Sequence, residues 1–112
     1  MPDYLVAQLD EIEPVACPCG TARRAFAAAP SAASVHITEI SANARTHYHK
    51  QLTEVYVILD GAGQLELDGE PVAVRPMTAV LIKPRCHHRA VGRMRVLITC
   101  IPAFDPADEW FD

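Results

Sequence analysis

Apolar and polar positions alternate in short runs from residue 35 onward. VHITEI (35–40) sets Val35 and Ile37 against His36 and Thr38, the two-residue period of a strand with one face buried. EVYVILD (54–60) is rich in β-branched and aromatic residues, which favour a pleated surface. QLELDGEPVAV (64–74) alternates on both sides of Asp68-Gly69, a strong hairpin signal. TAVLIK (78–83) is another apolar run, and MRVLITCI (94–101) is a last one, ended by Pro102. Short strands at this spacing, punctuated by Gly and Pro, predict an all-β sandwich or barrel. Val55–Leu59 and Ala79–Ile82 are apolar at nearly every position, so both faces of those strands seek cover. One face would line the barrel; the other would lie under a second sheet or a partner subunit. On VHITEI the alternation turns His36 outward.

The flanks are less regular. ARRAFAAAPSAAS (22–34) is Ala-rich but has no sustained helical stripe; it reads as irregular, with a short turn or strand near Arg24–Ala27. The tail FDPADEWFD (104–112) carries the single tryptophan, Trp110, and is expected to dock back on the barrel or to pack across a dimer. No internal repeat is visible. With 112 residues the chain suits one domain: a core at about 35–101, an N-terminal arm at 1–34 and a C-terminal tail at 102–112.

Composition narrows the class. Half the residues are hydrophobic and 6% are aromatic, so the core must be built mainly from Val, Ile, Leu and Ala. A net charge of −4 argues against a nucleic-acid binder, which usually carries a basic surplus. No stretch approaches the roughly 20 apolar residues of a membrane span. The start MPDYLVAQLDEIEP has acids where a signal peptide needs a basic end, and a cytoplasmic protein is expected. In that reducing compartment Cys17, Cys19, Cys86 and Cys100 are expected as free thiols. Cys17-Pro18-Cys19 lacks the C-x-x-C spacing of a thiolate zinc site.

The densest chemistry lies in THYHKQLTE (46–54). On a strand His47 and His49 share a face, with Cα atoms roughly 6.6 Å apart. Two imidazoles at that spacing can converge on one ion at about 2.1 Å from each nitrogen. Glu54 has the wrong parity for a single straight strand. A loop at KQLT removes the conflict, because Glu54 can then open the next antiparallel strand and point back. Imidazole and carboxylate donors suit a divalent transition ion: Fe, Mn, Ni, Co or Zn.

The spacing His-x-His-x4-Glu-x6-Gly, carried by His47, His49, Glu54 and Gly61, resembles the first motif of the cupin superfamily. That resemblance implies a small double-stranded β-helix, a jelly-roll-like barrel, often dimeric, with a mononuclear metal and a third histidine from a second motif. The second motif is roughly Gly-x5-Pro-x-Gly-x2-His-x3-Asn. Aligned on His88, this chain has Met77, Lys83, Arg85 and Gly92 at the other positions, and Ser41 stands where the first motif begins with Gly. The match covers about residues 35–101. HRAV (88–91) resembles the family's ligand histidine with a basic and a small residue after it, which selects His88 over His87. His87 then belongs to the opposite face with Arg85 and Arg89.

Other residues carry competing readings. Arg45 has the parity of His47 and would bind a substrate carboxylate if it points inward; an exposed strand-end arginine is the simpler reading. Tyr56 and Ile58 share the parity of Glu54 and are expected in the cavity, Tyr56 as a hydrogen-bond donor or general acid, or simply as core. Cys86 shares the parity of His88 and is placed on the pocket side, where a small buried hydrophobe is the plainer role. Cys17 and Cys19 have no partner motif nearby.

Three imidazoles and a carboxylate leave about two positions of an octahedral ion open, as a catalytic metal requires. The expectation is a small-molecule enzyme of dioxygenase, isomerase or decarboxylase type, with Tyr56 and Arg45 as catalytic candidates. The alternative is a non-catalytic metal and ligand binder or sensor. Neither reading calls for nucleic acid or membrane; both allow a homodimer.

Overall fold

The computed structural model describes residues 3–28, 31–41 and 44–112. Among them are nine strands: β1 (Val15–Cys17), β2 (Gly20–Ala25), β3 (Ser34–Ile40), β4 (His47–Tyr48), β5 (Thr53–Leu67), β6 (Glu70–Val74), β7 (Ala79–Ile82), β8 (His88–Ile101) and β9 (Trp110–Phe111). Two single 3-10 turns, Leu9–Glu11 and Pro106–Asp108, are the only helical elements among the described residues.

All nine strands join one antiparallel sheet that curls on itself. The curl comes from β5 and β8, which pair along almost their whole length, from Thr53↔Ile101 to Leu67↔His88. The first half of β5 and the second half of β8 belong to a layer that continues through β3, β2 and β1 on one side and β7 on the other. Their other halves belong to a second layer with β6, β4 and β9. The bend sits where the ladder slips between Ile58 and Asp60. A Cβ on Gly61 would stand 2.3 Å from the Arg93 carbonyl oxygen, and one on Gly63 would stand 2.2 Å from that of Val91. Only glycine lets the two strands cross this closely. The Gly-Ala-Gly stretch therefore bends one 15-residue strand where its composition reads as a break between two.

Asp68 (φ 50°) and Gly69 (φ 84°) both take left-handed backbone, the two-residue turn that matches strand twist, and β5 and β6 meet at Leu67↔Glu70. The core fills the space between the layers with Ile58, Leu65, Val96, Ile98, Ile82 and Leu52, aliphatic as composition requires.

Two sequence expectations change. The short strand expected near Arg24–Ala27 is longer and starts earlier: β2 runs from Gly20 to Ala25, so residues 22–25 are regular, while 26–28 and 31–33 are not in a strand and residues 29 and 30 lie outside the described residues. The segment ahead of residue 35 thus adds β1 and β2 to the sheet. His36 faces inward, with 4% of its surface exposed. The inner row of β3 is Ser34, His36, Thr38 and Ile40, opposite the inner row Cys100, Ile98, Val96 and Met94 of β8. The outward row, Val35 and Ile37, is the more apolar one, so alternation pointed the wrong way. A strand lining a polar cavity inverts the usual rule.

Candidate metal centre

β4 is only two residues long, and its His47 pairs directly with His88, the first residue of β8. Their rings are 4.3 Å apart. The chain then leaves the strand at His49 and loops through residues 50–52, so Glu54 enters on β5 facing the same point. One donor atom from each of His47, His49, Glu54 and His88 lies within 4.8 Å of the others. His49, Glu54 and His88 are buried and His47 is half-buried.

Each imidazole is oriented by a backbone carbonyl. Nδ1 of His47 lies 3.2 Å from the Arg45 oxygen, Nδ1 of His88 lies 2.8 Å from the Cys86 oxygen, and Nδ1 of His49 lies 2.9 Å from the Asp108 oxygen. A carbonyl only accepts, so each Nδ1 carries the proton and donates it. Each Nε2 is left as a lone pair turned to the centre, the arrangement in which a hydrogen-bonded second nitrogen fixes the tautomer of a metal-binding histidine.

Glu54 Oε1 stands 3.0 Å from His88 Nε2 and 3.3 Å from His49 Nε2. None of these three buried atoms makes an aligned hydrogen bond. Buried polar atoms are normally paired, and three that converge without pairing fit a cation between them. Burial by itself raises the Glu54 carboxyl; the two imidazoles outweigh it and hold it well below the usual carboxylate range. Burial lowers His49, but the Glu54 charge overcomes this and leaves it raised. Burial, and secondarily His88, bring His47 down to about 4, so it is a neutral donor at ordinary pH.

The tail holds this arrangement from outside. The Asp108 carboxylate accepts the backbone N–H groups of Lys50 (2.9 Å), Gln51 (3.0 Å) and Leu52 (3.3 Å). These are the loop residues between His49 and Glu54. β9 pairs with β4 through His47↔Phe111 and Tyr48↔Trp110, and Lys50 Nζ sits 3.7 Å over the Trp110 ring. The tail therefore docks back on its own chain, and nothing before residue 102 signals that Asp108 would matter.

A cavity of about 60 Å³ opens beside the four residues; His47, His49, Glu54 and Tyr56 line it together with Arg24 and His36. His36 Nε2 is linked to the Ser34 hydroxyl at 2.8 Å, which also receives the Phe104 N–H at 2.9 Å. Burial, then the nearby Arg24 charge, lowers His36 to about 4. The Arg24 guanidinium lies over the Phe104 ring at 4.5 Å, and its buried Nε has no hydrogen-bond partner. Cys17, Cys19 and Cys100 also border the cavity.

Of the sequence candidates, Tyr56 is buried on the cavity, its ring 6.1 Å from that of His88. Arg45 is not on it: its side chain is exposed, bonds the Asp112 carbonyl oxygen at 3.2 Å and stacks on Phe111 at 4.7 Å. It lies ahead of β4 rather than on it, so strand parity does not reach it. Cys86 does not line the cavity either; it packs against the core as a half-buried hydrophobe. Both residues touch the site through their carbonyls instead. His87 faces away from His88, stacked on Tyr48 at 4.1 Å with Nδ1 2.8 Å from the Asp112 carboxylate. The guanidinium on the cavity comes from Arg24, at the start of the short turn or strand expected near Arg24–Ala27, to which the sequence assigns no site role.

A family model described as the cupin domain matches residues 35–101, more than half of the chain. A search of the curated proteins finds no match. Among solved structures, one of a protein from Planctomyces limnophilus is 46% identical and covers 99% of this chain and 97% of its own, with a TM-score of 0.90. Pac13 from Streptomyces, described as a nucleoside dehydratase, superposes with a TM-score of 0.86 at 17% identity, over 97% of this chain and 91% of its own. Ectoine synthase from P. lautus gives 0.76 at 21% identity, over 93% and 82%. At these last two identities the likeness is one of fold.

Proposed function

Because the chain belongs to the cupin domain family, we propose that it is a metal-dependent enzyme acting on a small molecule, of dioxygenase, isomerase or decarboxylase type. His47, His49, Glu54 and His88 would hold one divalent transition ion. The observation that carries this reading is the convergence of four donor atoms whose histidines are each turned by a backbone carbonyl. Such an ion supplies Lewis-acid polarisation of a chelating oxygen, or dioxygen activation if it is iron.

The chain's own groups set what may bind beside it. Since one water's share of liquid volume is about 30 Å³, the cavity of about 60 Å³ admits only a small ligand or the reacting end of a larger one. Half-buried Arg24 offers a guanidinium there whose buried Nε has no hydrogen-bond partner, with Glu109 on the same cavity as the acidic neighbour that feels its charge. A carboxylate or similar anionic group on the ligand supplies that partner. Buried Tyr56 lines the cavity from β5 and Phe104 offers an apolar wall.

Replacing His49 by Ala is expected to leave the fold intact and to abolish stoichiometric metal in protein purified and dialysed under the same conditions as wild type. Unchanged metal content overturns the site. Turnover in a screen of small acids under air, with oxygen uptake recorded, separates an enzyme from a non-catalytic binder. We also propose that a second copy of the chain covers the outward face of the larger layer, where Leu81 and Ile101 are 59% and 50% exposed beside half-buried Val35, Val55 and Leu97. Light scattering should show a dimer that Leu81→Glu converts to monomer.

A further inference from the structure

Cys17, Pro18, Cys19 and Gly20 form the two-residue turn between β1 and β2, closed by the pair Cys17↔Gly20. Pro18 suits the first corner of such a turn. The turn is pinned from outside: Ser41 N–H donates to the Cys19 carbonyl at 3.0 Å, and Gly20 pairs with Ile40 of β3. Both thiols are half-buried and both border the cavity. Their sulfurs are 3.3 Å apart.

We propose that Cys17 and Cys19 are a hydroperoxide-reactive dithiol on the cavity wall, with Cys17 as the attacking thiol and Cys19 as the one that resolves it. The Cys17 thiolate attacks one oxygen of hydrogen peroxide. The S–O bond forms, the O–O bond breaks, and hydroxide leaves to take up a proton. The sulfur of Cys19 then attacks the Cys17 sulfenic acid. The S–S bond forms, the S–O bond breaks, and hydroxide departs with the Cys19 proton as a second water. Two thiols are oxidised to a disulfide and one peroxide is reduced to two waters. The sulfurs need to close by about 1.3 Å to reach a disulfide length of about 2.05 Å.

The four cysteines are not equivalent. The hydrogen bond from Cys19, and more weakly the Arg24 charge, bring Cys17 down to about 6. Cys19 is raised by the same bond and by burial and keeps its proton. Burial raises Cys86, and burial with Glu54 pushes Cys100 up to about 12. Thiolate character and access together select which thiol oxidises, and Cys17 alone combines them.

The test treats the reduced full-length protein, as purified and after chelation, with stoichiometric hydrogen peroxide, followed by intact mass and peptide mapping. The expected product has lost two hydrogens, bridges Cys17 to Cys19, and leaves Cys86 and Cys100 reduced. Cys19→Ser should stop at a Cys17 sulfenic acid that dimedone traps. Cys17→Ser should react several-fold more slowly at neutral pH, because the lowered Cys17 thiol is the more ionised of the two, although its thiolate is the weaker nucleophile. The wild-type rate should rise with pH to a half-maximum below that of an ordinary thiol. Thermal melts confirm that both variants fold. Oxidation of Cys86 or Cys100 ahead of the pair, no sulfenic acid in Cys19→Ser, or a wild-type rate in Cys17→Ser each overturns the proposal. None of these outcomes depends on whether the four-residue site holds a metal.

Discussion

The cavity has two sides that are satisfied in different ways. Toward β4 and the start of β8, every imidazole is fixed by a backbone carbonyl, and the loop after His49 is fixed by the Asp108 carboxylate. Toward β1, β2 and β3, the polar groups are held more loosely. His36 leans on a single hydroxyl, Arg24 on an aromatic face, and Cys17 on the neighbouring thiol. The first side is preorganised to bind one thing in one geometry. The second leaves charge and reactive groups turned toward the cavity, where a ligand would complete them. The contrast separates the part that would hold an ion from the part that would choose its ligand.

Substitutions on each side should have opposite signatures. Asp108→Asn is expected to have the largest effect: it removes a charged acceptor from three N–H groups, loosens the seat of His49, and weakens metal binding by about tenfold, at the low end of what orienting partners contribute. Competition against a chromogenic chelator measures this, and unchanged affinity would mean that the tail is not part of the first side. Arg24→Met keeps the packing on Phe104 and deletes the charge. It should leave metal content unchanged, weaken acetate binding, and change the stability of the ligand-free protein little, since the half-buried guanidinium forms no ion pair with Glu or Asp among the described residues. A lower melting temperature would show that Arg24 is structural after all.

The smallest effect is one of pH. His36 titrates at about 4 in the folded protein against an ordinary 6.5, so as pH falls the unfolded chain takes up the proton first. The contribution is complete above about 6.5 and is lost as pH drops toward 4, with a slope of at most about 1.4 kcal/mol per pH unit. In metal-free protein His47 adds a slope of the same sign. His36→Gln should remove one proton's share of that slope in urea melts across this range. A slope equal to wild type would place His36 in water rather than on the cavity.

How much was legible follows from distance along the chain. His47, His49 and Glu54 fall within eight residues, so local spacing and one loop suffice to bring them together, and the motif spacing reached His88. The Asp68-Gly69 hairpin and the β-rich order were equally local. The second side was not legible, because it is assembled by register. Arg24 meets His36 only through the β2–β3 ladder, and His36 meets Ile98 only through β3–β8. Because the inward row of β3 is Ser34, His36, Thr38 and Ile40, its alternation alone pointed the wrong face to the core.

By itself, then, the sequence determined the strand-rich class, the family and the four residues that converge, because each rests on contacts short in sequence or on a conserved spacing. Only the tertiary structure decided what surrounds them: the carbonyls of Arg45, Cys86 and Asp108 behind the imidazoles, and Arg24, His36 and the Cys17–Cys19 turn beside them. Those placements depend on which strands pair and where β5 and β8 bend. These are long-range choices, settled by packing and hydrogen bonding across the whole sheet rather than by any local pattern.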